Sequence, residues 1–410
     1  MKKKENILLL IFTLAFVGIY FSKTILSIFP YVLLLTGFFN GDIKKRLKKF
    51  FTTPYMIALP SILLLYILSG INSSDTSLWL GRINTNLIYL IIPLAVYLNG
   101  PYPEKFIDKV LAVFVILNTV INAWLLVNYI VDYQDTNSKY LQGQTIATPV
   151  IHVRYSYFVA ISVIFAVYLY LKKFKFKYRF EPYLYGFSAL FSLIFLHILA
   201  VRTGLVALYI TAVFWAIFYS IKKKKPKPAI IIITAIISLG TFSYFFVPSF
   251  QNKIKYVAWD IKSTLDNSSK HHTSDRIRIY SIINGIKLWK ESPVLGTGIG
   301  DIEKKMDEKY QINYPSLPRN MRFTPINQFV FILASMGTVG FVLFFGLLLY
   351  PLFALKQKHE LLVIFYVLTF ATFLGETTIE LMIGKTTFLT LVSLFLFYKK
   401  PNQKIISRSR

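Results

Sequence analysis

Arginines at the edges of apolar stretches are the residues through which this chain would do chemistry. Arg202 opens one such stretch in Ala200-Val201-Arg202-Thr203-Gly204, with no acidic residue nearby in sequence. An unpaired guanidinium beside hydrocarbon is costly, so it snorkels to the interface, pairs, or lines a polar cavity. In a cavity its planar fork of donors matches phosphate oxygens. His152 and Arg154 open another stretch in Ile151-His152-Val153-Arg154-Tyr155-Ser156. Two positions apart, they do not share a helix face. Arg154 adds a cation to the same rim, whereas a lone interfacial histidine is more often structural. Arg276 and Arg278 begin an amphipathic run, and Arg319 and Arg322 precede a further apolar stretch. Each alone reads as solvated; together they bracket one polar segment and predict a cationic cluster. Glu376 and Glu380 occupy a short turn with Lys385 following. Carboxylates at membrane depth are functional suspects, and Lys385 offers one of them a structural partner. Cations gathered beside a membrane point to an anionic substrate that is itself attached to lipid.

Other chemistries find little support. With no cysteine there are no disulfides, thiol nucleophiles or Cys-ligated metals. Gly296 to Gly300 lacks the Lys-Ser/Thr of a nucleotide loop and no buried strand precedes it, so turn glycines explain it better. Asp301 and Glu303 are surrounded by Lys304, Lys305 and Lys309, which predicts a solvated helix face with Asp301 paired to Lys305 and no metal site. His271 and His272 fall in a polar loop and are expected to be exposed. No cofactor is expected. The net charge of +27 does not imply nucleic acid, because the basic runs lie between hydrophobic segments, where they set orientation.

The elements that must position these residues are membrane helices. Hydrophobic residues make up 55% of the chain and charged residues 16%, against about a quarter charged in soluble domains. The apolar stretches recur along the whole length, predicting an all-α polytopic protein with a single transmembrane domain over residues 1–410. About twelve spans are expected: Asn6–Phe21, Ile25–Phe39, Thr52–Ser69, Ile83–Leu98, Phe106–Val131, Val150–Leu171, Tyr183–Ala200, Arg202–Ile221, Ala229–Val247, Ile326–Ala354, Leu361–Leu374 and Thr386–Tyr398. The first has no small-residue cleavage site after it and is expected to be retained. Counted from a cytoplasmic N-terminus, the inner connections and the two tails hold 27 Lys+Arg against 6 acids, leaving 19 against 13 outside. That asymmetry places both termini in the cytoplasm. The other connections are short, but residues 248–325 form one large outer loop between spans nine and ten, 78 residues with 13 Lys or Arg. Within it, Phe250–Leu265 is expected as a helix on the membrane surface, with Ile254, Val257, Ala258 and Ile261 on one face. Arg276–Lys290 and Asp301–Tyr310 are expected as further helices, and Pro315–Pro325 as an extended return.

With these residues in place, the chain resembles the O-antigen ligase and O-antigen polymerase family of bacterial polysaccharide enzymes. His152-Val153-Arg154-Tyr155-Ser156 resembles the family's HxRxS, and Arg202-Thr203-Gly204 its Arg-Ser/Thr-Gly/Ala motif. Arg278 followed by Pro293-Val294-Leu295-Gly296-Thr297-Gly298 resembles an arginine followed by P-L-x-G-x-G. Asn327-Gln328-Phe329-Val330 with Met336-Gly337-Thr338-Val339-Gly340 resembles HNxxL…GxxG, and Glu376 to Gly384 an outer turn of some members. The resemblance covers residues 150–385. It implies glycan transfer from an undecaprenyl-diphosphate carrier to an acceptor hydroxyl, such as that of lipid A–core, on the periplasmic face of the bacterial inner membrane, without metal or nucleotide. Polymerisation of repeat units or transfer to a protein are the alternatives within the class; a non-catalytic scaffold and a lipid-linked glycan transporter lie outside it. On this resemblance Arg154, Arg202, Arg276, Arg278, Arg319 and Arg322 are the diphosphate ligands and Asn327 orients a sugar or acceptor hydroxyl. The family has His where this chain has Ile326. Isoleucine cannot move a proton, which leaves Glu376, Glu380 or His152 for general-base duty, Glu376 first.

Overall fold

A computed structural model describes residues 2–265, 273–355 and 359–399. His271, His272, Lys356, Lys358 and the basic tail beyond Lys399 lie outside them. The helices in chain order are α1 (Lys2–Phe21), α2 (Lys23–Phe38), α3 (Ile43–Thr52), α4 (Pro54–Leu68), α5 (Thr76–Asn86) and α6 (Ile88–Asn99). Next come α7 (Glu104–Val131), α8 (Tyr133–Leu141), α9 (His152–Leu171), α10 (Glu181–Leu199), α11 (Arg202–Lys223) and α12 (Lys227–Phe246). The last are α13 (Pro248–Leu265), α14 (Ser274–Glu291), α15 (Ile302–Asn313), α16 (Gln328–Ala354), α17 (Glu360–Thr372) and α18 (Met382–Leu396). Among the described residues the sheet content is a two-residue parallel pairing of Tyr102–Pro103 with Tyr398–Lys399.

The architecture is that of an all-α polytopic membrane protein. Nine helical stretches among the described residues are long and apolar enough to cross a membrane. The other three expected spans are the shorter apolar helices α2, α17 and α18. The structure adds three helices inside connections: the basic α3, the polar α5 that leads into α6, and α8. The connection between α7 and α9 is therefore longer and more structured than expected. Tyr140 of α8 donates its hydroxyl to the carbonyls of Ile198 and Leu199, 3.0 and 3.1 Å away. These are the orphan acceptors at the end of α10. Ala200 follows in the left-handed region, φ 51°, and the chain reverses into α11. Arg202 is thereby fixed at the first position of a helix. Gly204 lets α11 lie against α9: a Cβ there would sit 2.5 Å from the Ser156 carbonyl oxygen.

α9 is held at the bundle centre by a buried polar network. Tyr155 donates to Asn122 Oδ1 at 2.5 Å, and Asn122 donates to Asn118 and Ser192. Every such bond formed within the apolar interior removes an unsatisfied group that would otherwise cost stability.

The glycine run from Gly296 is a structural device. α16 is interrupted at Gly337, φ 67°. The break leaves backbone groups without helical partners, and the loop supplies them. Thr297 and Gly298 amides donate to the carbonyls of Ala334 and Ser335 at 2.9 and 3.0 Å. Thr338 and Val339 amides donate to the carbonyls of Pro293 and Val294 at 2.8 and 3.2 Å. The two segments approach so closely that a Cβ on Gly337 would lie 2.2 Å from the Val294 oxygen.

Asp301 departs from expectation. It does not pair with Lys305, which bonds Glu308. It is buried, and accepts from the Ser74 amide at 2.7 Å, the Ser74 hydroxyl at 2.9 Å and the Asp75 amide at 2.8 Å. Burial pushes its carboxyl upward, but the Ser74 and Asp75 donors outweigh this and hold it below the usual carboxylate range. Asp301→Ala should strand those donors and cost about 1–3 kcal/mol, read as a fall in the thermal midpoint that Lys305→Ala does not produce.

The other loop helices follow the expected order with small shifts at their ends. Ile254, Ala258 and Ile261 of α13 are exposed, as a face meant for the membrane surface requires, while its opposite side packs on the protein. The expected extended return contains a short 3-10 turn at Arg319–Met321.

Candidate anion-binding cleft

At the loop end of the bundle, three elements meet around an open cleft of about 280 Å³. The first turn of α11 contributes Arg202, Thr203 and Val206; α14 contributes Asp275 and Arg278; Leu374 and Gly375 close the wall after α17. Arg202 Nη2 is ion-paired with Asp275 Oδ1. Gly375 adjoins the second arginine: a Cβ there would meet Arg278 Nη1 at 3.9 Å, an ordinary contact. The guanidinium fork and the free amides of a helix first turn both favour anions.

A third cation stands beside these two. Lys253 of α13 is mostly shielded from solvent, donates Nζ to the Gly143 carbonyl at 2.6 Å, and lies 5.1 Å over the Tyr256 ring. Burial, followed by repulsion from Arg202 and with Arg278 adding to it, lowers its ammonium to about 8, against the pull of Asp275 and Asp260. His152 is within electrostatic reach of both Lys253 and Arg278. Lys253 is protonated below about pH 8 and loses its charge above it. Affinity for inorganic pyrophosphate should therefore fall as pH rises through about 8, a dependence that Lys253→Met should flatten; titration calorimetry from pH 6.5 to 9.5 checks this.

Behind the cleft, across Thr203, is an enclosed chamber of about 10 Å³, space for a single water. Arg154 and Glu376 both line it. They are within electrostatic reach of one another, and Arg154 Nε has no hydrogen-bond partner among the described residues. Thr203 faces both spaces.

The structure thus brings together Arg202 and Arg278, with His152 beside them and Arg154 and Glu376 one layer deeper. It does not bring the remaining arginines to the cleft wall. Arg276 is buried and donates to the Ser263 carbonyl at 2.7 Å, tying α14 to α13. Arg322 bonds Asp307 at 2.9 Å and the Leu317 carbonyl at 3.0 Å, and exposed Arg319 stands near the same carboxylate. Arg322 thereby ties the return segment of the loop to α15. Asn327 caps α16, accepting from the Val330 amide at 3.1 Å and donating to the Leu374 carbonyl at 3.0 Å, which places it just outside the wall. Glu380 sits apart, accepting from Tyr66 at 2.7 Å and Gln328 at 3.0 Å, with Lys385 as its nearby countercharge. Ile326 is held through its amide by Ser281. Lys253, Asp275 and Thr203 are additions of the structure. Of these, Thr203, within Arg202-Thr203-Gly204, and Asp275, adjoining Arg276 and Arg278, had a local signal in sequence.

A helical membrane bundle whose loop face brings two arginines to one cleft is equipped to meet an anion. Residues 187–345 match the family described as O-Antigen ligase. The match supports an O-antigen ligase- or polymerase-like part in polysaccharide biosynthesis. It contains Arg202, Lys253, Asp275, Arg278 and Asn327, and leaves Arg154 and Glu376 outside. No curated protein matches the chain.

Proposed function

We propose that this protein transfers a glycan from undecaprenyl diphosphate to an acceptor hydroxyl at the Arg202–Arg278 cleft, on the periplasmic face of the bacterial inner membrane. The observation that carries this reading is the convergence of two guanidinium groups on one cleft at the end of a membrane bundle. The excess of basic residues on the opposite connections orients that end outward. In this reading the whole chain is one transmembrane domain, with residues 248–325 its periplasmic loop.

The chemistry follows from charge. The acceptor oxygen attacks the anomeric carbon, and the bond from that carbon to the diphosphate oxygen breaks with its electron pair going to the carrier. Negative charge therefore grows on the diphosphate as the transition state is reached. Arg202 and Arg278 meet that charge in a partly dehydrated site, where fixed donors are most effective. The acceptor proton passes to the Glu376 carboxylate, one layer behind the cleft across Thr203. The energy of transfer is already held in the donor, so the reading requires neither nucleotide nor metal. Lipid A–core is the acceptor favoured by the ligase family; a second repeat unit would make the same cleft a polymerase.

A second reading, a non-catalytic scaffold, draws on Ile326 in place of the family's histidine. Reconstitution with undecaprenyl-diphosphate-linked glycan, EDTA and separate candidate acceptors separates the two. A gel shift with wild-type protein supports the transferase, and the acceptor that shifts names the product. Transfer only after Ile326→His would assign the natural chain to the scaffold reading.

A further inference from the structure

Asp275 is the acidic side chain in a cleft otherwise equipped for anions. One of its oxygens is engaged by Arg202; the other is buried without a hydrogen-bond partner among the described residues. Its side chain is 14% exposed, against 44% for Arg202, so its charge is poorly screened by solvent. Any ligand phosphate drawn to Arg202 must settle beside this carboxylate. With Arg202, Arg278 and Lys253 charged, the cluster carries three positive charges and Asp275 removes one.

The donor and the spent carrier differ in charge. A glycan-bearing diphosphate is a diester with one charge on each phosphorus. Once the glycan leaves, the terminal phosphate can ionise again, with a second ionisation near about pH 6, giving about one further negative charge at neutral pH. Resting on the reading of the cleft given above, we propose that Asp275 makes it select the diphosphate diester over the monoester left after transfer, and so speeds release of the spent carrier. The carboxylate tolerates the charge of the incoming donor and repels the additional charge that reaction creates. The plainer role for Asp275, an acid in the first turn of α14 stabilising that helix, would not alter the ranking of two ligands.

The test compares farnesyl diphosphate, a monoester, with P1-farnesyl P2-methyl diphosphate, a diester that carries no glycan to transfer. Binding to the full chain in nanodiscs is measured at pH 7.5 by calorimetry, with thermal unfolding recorded for each variant. Asp275→Asn should tighten the monoester by about tenfold or more and the diester by the smaller factor of about fivefold. Asp275→Glu, which keeps the charge, should retain the wild-type ranking, and Asp275→Ser provides a second neutral variant. Equal changes for both probes, or weaker binding of both, would overturn the inference and leave Asp275 as a mere support for Arg202. If Arg202→Ala changes neither affinity, the reading of the cleft fails and takes the inference with it; loss of both probes in Arg202→Ala with no Asp275 discrimination sinks the inference alone.

Discussion

Arg202→Ala should reduce kcat/KM for glycan transfer by about 10²–10³-fold or more, and Arg278→Ala by a similar factor at the lower end. Both remove a donor aimed at charge that develops on the leaving diphosphate. The Arg202 variant does further harm, because it leaves Asp275 in the cleft without its cation. The excess loss should be recovered when Asp275→Asn is added to Arg202→Ala, whereas the same addition to Arg278→Ala should recover less. Lysine at position 202 should restore only part of the activity, since an ammonium lacks the planar fork. Initial rates from the gel-shift assay, at fixed acceptor and varied donor, supply these ratios. Arginine variants that stay folded and lose less than about threefold would be incompatible with transition-state stabilisation at this cleft.

The second large effect is on folding. Gly337→Ala should destabilise the protein by about 2–5 kcal/mol, from the left-handed backbone and from overpacking against the loop. The added Cβ would face the Val294 carbonyl at 2.2 Å and Gly296 N at 2.5 Å, both backbone atoms with no rotamer to yield. Gly346→Ala, at a helical position on the same helix with open space around it, should leave stability within about 0.5 kcal/mol. Thermal unfolding in detergent gives the comparison. Equal melting of the two variants would remove the loop–helix crossing from any account of stability.

The spans were legible because a bilayer imposes length and apolarity on every helix that crosses it. The helices inside connections were not: α5 and α8 carry too little apolar periodicity to stand out from polar linkers, and in α3 the run of lysines masks a face of Ile43, Leu47, Phe50 and Phe51. Arg202 could be singled out because a guanidinium at a span edge needs an explanation, and Arg278 because it opens an amphipathic run of the outer loop and precedes Pro293-Val294-Leu295-Gly296. Arg276 and Arg322 are cations of the same loop, yet Arg276 satisfies Ser263, Arg322 satisfies Leu317 and Asp307, and Arg319 stays exposed near Asp307. Sequence does not distinguish an arginine that binds a ligand from one that ties a loop together, since the difference lies in a partner tens of residues away or in none. Lys253 was hidden for the same reason. Its neighbours come from α11 and α14, and within its own helix it is one of several lysines. Asp301 was misjudged because the amides it serves, at Ser74 and Asp75, are more than two hundred positions distant.

The crossing at Gly337 also constrains how the protein is built. Residues 293–298 leave the ribosome before α16 does, yet the loop is of no use to α16 until both are in place. A helix entering hydrocarbon must satisfy its own backbone, so α16 inserts most cheaply as an unbroken rod. Only when the loop returns with its amides and carbonyls is the interruption a lower-energy arrangement. The break is thus a late event in assembly. The same four bonds that create it anchor the segment C-terminal to Arg278, so the cleft is completed by the step that finishes the membrane bundle.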